Sequence, residues 1–247
     1  MIFLPQMQLF YTTHIDDQLA FLSGEEAKHC VQVLRHRVGD EINLMDGLGG
    51  NYLGSIIEAT KNKVSLRILS RQQTYPHRTK RLHLAVAPTK NISRFEWFLE
   101  KAVEIGIDEI TPVLCQRSER KVVKPARLEK IILAAAKQSK NTILPLLHPM
   151  VKLSAFLKKE WTSAPQKFIA HCEADNEIHL LEKYKVDQDV VILIGPEGDF
   201  SLVEIKNSFE NGYVPVSLGA SRLRTETAAM VACHTVNLLG QSNKIDK

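Results

Sequence analysis

Val190-Val191-Ile192-Leu193-Ile194-Gly195-Pro196-Glu197-Gly198-Asp199-Phe200-Ser201-Leu202-Val203-Glu204 is the stretch whose reading decides the fold. Its opening run is apolar throughout, rich in β-branched residues and too short for a buried helix. It reads as a strand covered on both faces. Gly195-Pro196 ends it, because proline cannot continue a central strand. Ser201 followed three residues later by Glu204 is a capping box, and the helix it opens ends at Gly212. Strand, glycine-rich loop and helix together make one unit of a parallel α/β sheet. Ligands of such sheets bind beyond the carboxyl ends of the strands, which makes Gly195–Gly198 a candidate binding loop. The same spacing also describes a plain tight turn. It matches neither G-x-G-x-x-G nor a Walker A loop, which argues against dinucleotides and nucleoside triphosphates.

The pattern repeats on both sides of this stretch. Upstream, Leu82–Ala87 reads as a strand, and Ser93-Arg94-Phe95-Glu96 as a capping box. Phe95, Phe98, Leu99, Ala102 and Val103 give that helix its core stripe, and Gly106 stops it. Ile110–Leu114 and Phe168–His171 are further strands, with a helix over Leu128–Ser139. Downstream, Val214–Leu218 is the last strand and a helix runs from about Glu226 to Leu239. Residues 73–247 therefore read as one α/β domain.

Residues 1–72 read differently. Ser23-Gly24-Glu25-Glu26 is a third capping box, with Ala27, Cys30, Val31 and Leu34 on one helical face. Strand-like segments lie at Glu41–Met45, Asn51–Ile57 and Val64–Leu69, the first two joined through Asp46-Gly47 and Gly49-Gly50. This predicts a small β-barrel with one helix. Arg71–Lys80, polar and aperiodic, reads as the linker.

A second loop stands out, Leu218-Gly219-Ala220-Ser221-Arg222-Leu223-Arg224-Thr225-Glu226-Thr227-Ala228. Thr225 is placed to cap the final helix, and Glu226 in its first turn complements the helix dipole. Arg224 and Glu226 read either as a structural ion pair or as the second wall of a pocket facing Gly195–Gly198. His171, at a strand end, reads equally as a pocket residue and as a satisfied histidine.

The two loops together resemble those of the bacterial 16S ribosomal RNA uracil-N3 methyltransferases of the SPOUT, or α/β-knot, superfamily. The resemblance extends to Glu96, Lys101-Ala102, Glu104, Gly106, Ile110-Thr111-Pro112, Arg117-Ser118 and Gln138-Ser139. In the N-terminal part it covers His29, Val33-Leu34-Arg35, Gly39-Asp40 and Asp46-Gly47. It implies a C-terminal trefoil-knot domain with a parallel sheet, an N-terminal PUA-like barrel that binds RNA, and a homodimer. It also implies S-adenosyl-L-methionine as cofactor, held by His171, Ile194, Gly195, Pro196, Glu197, Gly198, Leu218, Gly219, Leu223, Arg224, Thr225 and Thr227. The implied substrate is one uridine of the small-subunit RNA. Arg224 would stabilise charge developing on uracil, and Glu226 or a water would accept the N3 proton. The sequence departs from the family pattern at Asn91, Gln116, Lys137 and Asn141. Two rival functions stay open: a knotted methyltransferase of transfer RNA, and a non-catalytic RNA-binding assembly factor.

Composition sets the outer bounds. The chain has 247 residues, 44% apolar and 24% charged, with a net charge of +4, which excludes disorder. Its excess charge sits in residues 73–150, which hold 14 lysines and arginines against 7 acids, or +7. Lys90, Arg94, Arg117, Arg120, Lys121 and Lys124 are the candidate phosphate contacts there. No apolar run approaches a membrane span. Met1–Phe10 has no secretory pattern, and Cys30, Cys115, Cys172 and Cys233 lie far apart. The expectation is a cytoplasmic protein with reduced thiols, no membrane partner and no metal.

Overall fold

Alternating apolar residues build the first sheet of the computed structural model, which describes residues 8–76, 78–161, 163–172 and 178–242. The chain divides into one unit of Met1–Pro76 with Leu133–Leu144, and a second of His77–Ile132 with Pro145–Lys247. In the first unit, β1 (Leu9–Tyr11), β2 (Leu19–Ser23), β3 (Glu41–Met45), β4 (Gly50–Ala59) and β5 (Lys63–Gln73) form a sheet ordered β1-β3-β4-β5-β2. β1 pairs β3 in parallel and the other ladders are antiparallel. Side bonds draw the outer strands together: Thr12 Oγ1 donates to the Phe21 carbonyl, and Phe21 N–H to that of His14 at 3.0 Å. Phe10, Leu22, Leu44, Ile56 and Leu66 fill the interior, capped by Ala27 and Cys30 of the helical segment.

That segment corrects the Ser23 expectation. α1 (Gly24–Lys28) runs into a π-helical turn over His29–Val33, and Ser23 makes no side-chain cap. Glu26, the expected capping-box acid, instead accepts from Lys137 Nζ at 2.7 Å and from Tyr11 N–H at 3.3 Å. The cation outcompetes the backbone donor because ionic hydrogen bonds are the stronger ones.

The second unit starts with β6 (Leu82–Val86), α2 (Ile92–Ile105), β7 (Glu109–Leu114) and α3 (Pro125–Ser139), whose end returns to the first unit. β8 (Leu146–Leu147), β9 (Val151–Lys152), α4 (Leu153–Leu157), β10 (Gln166–Ala170) and α5 (Leu180–Lys183) follow. β11 (Val190–Ile194), α6 (Leu202–Glu210), β12 (Val214–Pro215) and α7 (Thr225–Ser242) complete it. The strands run in parallel in the order β12-β10-β11-β6-β7-β8. Leu82, Leu84 and Val86 face α2 and α7, and Ala85, Leu193 and Val191 face α4 and α6, so helices cover both sides.

Local chemistry sets the helix ends. Ser201 and Glu204 make the full capping box at α6. Gly106 adopts the left-handed φ of 107° that terminates α2, and its N–H bonds the Ala102 carbonyl. The Ser93 box is absent: Asn91 caps α2 by accepting from Ser93 N–H at 3.1 Å, while Glu96 is held by Arg127. The last strand is also shorter than expected, since only Val214–Pro215 pairs in the sheet. Ser217 bonds Ile178 and Leu180 instead, which stitches the chain after β12 to the β10–β11 connection. From there the chain leads through residues 218–224 into α7.

Candidate functional site

Three loops meet at the carboxyl end of the sheet. β11 delivers Ile194, Gly195 and Pro196, all buried. The Ala87 N–H bonds the Ile194 carbonyl at 3.0 Å, and the Thr225 hydroxyl bonds the Gly195 carbonyl at 3.0 Å. Thr225 therefore braces the loop, and α7 begins at Thr225 itself. Glu197 Oε1 accepts from Lys90 N–H at 2.8 Å, and Asp199 Oδ2 from Cys172 N–H at 2.8 Å. Asp199 sits at φ 62°, a left-handed backbone that a non-glycine residue holds only when its surroundings fix it.

Between these loops lie two adjoining cavities. The first, of about 270 Å³, is lined by Ile194, Gly195, Pro196, Glu197, Asp199, Leu223, Arg224 and Thr225, with Ala170, Cys172, Arg222 and Ala228. The second, of about 510 Å³, is lined by Val216–Leu223 with Ala170, His171, Cys172 and Ala228. Five residues, Ala170, Cys172, Arg222, Leu223 and Ala228, line both, so the two are halves of one cleft. The lining combines apolar side chains, loop backbone, two carboxylates and two guanidiniums. That donor set suits a ligand carrying an apolar ring, hydroxyls and an amino-acid end.

The sequence matches the RNA methyltransferase domain family over residues 76–237 and the RNA methyltransferase PUA domain family over residues 22–69. It is 31% identical to the ribosomal RNA small subunit methyltransferase E of Rickettsia conorii, covering 89% of each chain. The Mycobacterium bovis protein of the same name is 28% identical, with 94% of this chain and 91% of that one covered. The crystal structure of the Neisseria gonorrhoeae ribosomal RNA small subunit methyltransferase E bound to S-adenosyl methionine superposes with a TM-score of 0.85. That pair is 27% identical over 95% of this chain and 98% of the other. The chain belongs to the ribosomal RNA small subunit methyltransferase E family.

Within that family fold, the structure distributes the sequence-expected residues unevenly. Ile194, Gly195, Pro196, Glu197, Leu223, Arg224 and Thr225 line the first cavity, and His171, Leu218, Gly219 and Leu223 the second. Gly198 and Thr227 line neither. Gly198 gives its carbonyl to Arg117 Nη1 at 3.0 Å. Glu226 also lies outside the lining and is 7% exposed. Its ion partner is Arg94, at 3.8 Å from Oε1, which replaces the Arg224–Glu226 pair weighed from the sequence. Its Oε2 is buried with no hydrogen-bond partner among the described residues.

Arg117 and Arg120 spend donors on loop carbonyls. Arg117 holds Gly198 and Phe200, and Arg120 holds Thr89 and Lys90, with bonds between 2.6 and 3.3 Å. Lys90 Nζ pairs with Glu119 at 2.7 Å, and this partner raises its pKa. Lys121 and Lys124 are exposed. Asp199, Arg222, Cys172 and Ala228 were not singled out as site residues from the sequence. Only Asp199 and Arg222 carried a signal there, as charged residues inside the two glycine-containing loops.

Proposed function

We propose that the protein transfers a methyl group from S-adenosyl-L-methionine to N3 of one uridine in 16S ribosomal RNA, within the small subunit, as a cytoplasmic homodimer. The observation that carries this reading is the cleft between the 194–199 and 216–225 loops, at the sheet end where α/β folds bind ligands. His171, Ile194–Gly198, Leu218, Gly219, Leu223–Thr225 and Thr227 are the residues assigned to the cofactor. Among them Gly198 and Thr227 act by shaping the loop and the helix start. When bound, the cofactor supplies an electrophilic methyl group. The chain's own task is then orientation, worth roughly 7–11 kcal/mol of barrier when reacting atoms are aligned.

Arg224, exposed at the mouth of the first cavity, is assigned to the uracil oxygens, where charge develops as the N3 proton leaves. Glu226, or a water, accepts that proton. The unpartnered Oε2 of Glu226 supports its candidacy, with Arg94 standing 3.8 Å from its other oxygen. Residues 1–72 are assigned to RNA shape recognition and 73–247 to methyl transfer. Lys121 and Lys124, with Lys90 and Arg94, are assigned to phosphates, so RNA affinity falls as salt rises. Arg117 and Arg120 contribute there mainly by fixing the loops.

Tritium transfer from labelled cofactor onto small subunits lacking the modification, followed by nucleoside mass spectrometry, tests this. A label found in 3-methyluridine supports the proposal; label in another nucleoside, or none, removes it. Glu226→Gln should bind cofactor normally and turn over about 100-fold more slowly. Turnover at the parental rate would assign the proton to water.

A further inference from the structure

At the opposite, amino-terminal end of the parallel sheet, three neighbouring strands bring together side chains that are far apart in sequence. His83 on β6 lies directly across from Glu109, the first residue of β7. Glu109 lies across from Leu146 of β8, and His148 follows, its N–H bonded to the Ile110 carbonyl at 2.8 Å. Side chains alternate faces along a strand, so this register points all three to the same side. Their nearest donor atoms lie within 4.8 Å of one another. His148 Nε2 is 2.8 Å from Glu109 Oε2, and His83 Nδ1 is 3.5 Å from the same oxygen. Ligands at about 2.0–2.1 Å around a tetrahedral ion stand about 3.3 Å apart, so the two separations to Glu109 lie close to that spacing, and the two histidine nitrogens, within 4.8 Å of each other, would draw in on binding.

His83 carries the argument further. It is 3% exposed, and its Nδ1 is buried without a hydrogen-bond partner among the described residues. Its Nε2 is 2.7 Å from the Thr111 hydroxyl, a bond that fixes the ring's orientation. With the proton on Nε2, donated to the Thr111 hydroxyl, Nδ1 presents a lone pair toward the Glu109 carboxylate, the tautomer that a cation between them selects. Phe156 and Trp161 wall the ring at 5.5 and 5.6 Å. A cavity of about 620 Å³ whose lining includes His83 and Glu109 supplies a route in. Two cations stand nearby: Arg81 at 3.4 Å from Glu109 Oε1, and Lys159 over the Trp161 ring. Neither occupies Oε2.

We infer that His83 Nδ1, Glu109 Oε2 and His148 Nε2 bind one divalent transition-metal ion of the zinc class, which clamps β6, β7 and the end of β8. Two imidazoles and one carboxylate are a zinc-type donor set and a poor one for magnesium. On binding, the Nε2 proton of His148 moves to Nδ1, leaving a neutral imidazole whose Nε2 lone pair faces the ion, and water takes the fourth position. The role is structural, because the cofactor cleft lies at the other end of the strands.

The test uses the tag-free full-length chain, stripped with a chelator and titrated with zinc by calorimetry and with cobalt(II) by visible absorption. The expected result is one ion per chain, a tetrahedral cobalt spectrum and a raised melting temperature. His148→Gln, a change at a partly exposed side chain, should weaken zinc by more than the roughly ten- to hundred-fold that loss of an outer-shell partner costs. Glu109→Gln, checked for folding by circular dichroism, should do the same, and an exposed control such as His14→Gln should not. Equal zinc binding by the parent and His148→Gln, or no stoichiometric binding by the parent, would overturn the inference.

Discussion

The Thr225 hydroxyl donates to the Gly195 carbonyl across thirty residues of sequence, at 3.0 Å and in a buried setting. This bond ties the first residue of α7 to the loop that ends the central strand. The two walls of the cleft thus meet at one buried polar contact, which holds their spacing.

Thr225→Val keeps the shape and removes the donor, which leaves the Gly195 carbonyl unpaired. The expected cost is about 1–3 kcal/mol of stability. Because both walls loosen, cofactor affinity should fall with it. Thermal melting with and without S-adenosyl-L-methionine reads both effects, and an unchanged affinity would show that the loop holds its place without Thr225.

A second prediction concerns Arg78, whose side chain is 4% exposed and bridges to Asp108 at 2.6 Å. The same guanidinium donates to Asn237 Oδ1 and to the carbonyls of Lys80 and Gly106. Removing one member of a buried ionic network strands the other, so Arg78→Ala should lose about 3–5 kcal/mol in chemical denaturation. An effect below 1 kcal/mol would place the arginine at the surface in solution.

Arg78 also marks where the sequence stops being legible. In a polar run from Arg71 to Lys80 it reads as linker, because its partners at 106, 108 and 237 declare nothing locally. The strands were readable for the opposite reason: Val190–Ile194 is apolar at every position, and every position is buried. Helix starts fell between. Ser201 and Glu204 find each other as written, whereas Glu26 and Glu96 are claimed by Lys137 and Arg127. At the site, the loops themselves were legible through their glycines and the family resemblance. The lining by Asp199, Arg222, Cys172 and Ala228 was not, since it depends on how three loops converge.

Asp189 predicts a pH dependence. It accepts from Arg81 N–H at 2.9 Å and from the Ser163 hydroxyl at 2.8 Å. Burial alone would raise its pKa, but these bonds and the nearby Lys80 and Arg81 charges hold it below the usual carboxylate value. A carboxylate with a lowered folded-state pKa stabilises the protein above its unfolded pKa, and that contribution is lost as pH falls through the folded value. Asp189→Asn should therefore melt lower than the parent at neutral pH, with the gap closing in acid. A gap that stayed constant from pH 7 to 3 would assign the effect to packing.

The four cysteines separate by environment, and this makes a chemical probe of the cleft. Cys30, Cys115 and Cys233 are buried. Burial raises all three thiol pKa values, Cys30 to about 11 and Cys233 to about 12, with Cys115 higher still. At neutral pH almost none of their thiolate forms, and the thiolate is the species that alkylates. Cys172 is exposed and lines both cavities. Brief treatment of the native protein with iodoacetamide should modify Cys172 first, by peptide mass spectrometry, and saturating S-adenosyl-L-methionine should slow that modification several-fold. Labelling of Cys172 at the same rate with and without cofactor would move the cofactor out of this cleft, whereas protection would place the bound molecule against the strand end that carries Ala170 and Cys172.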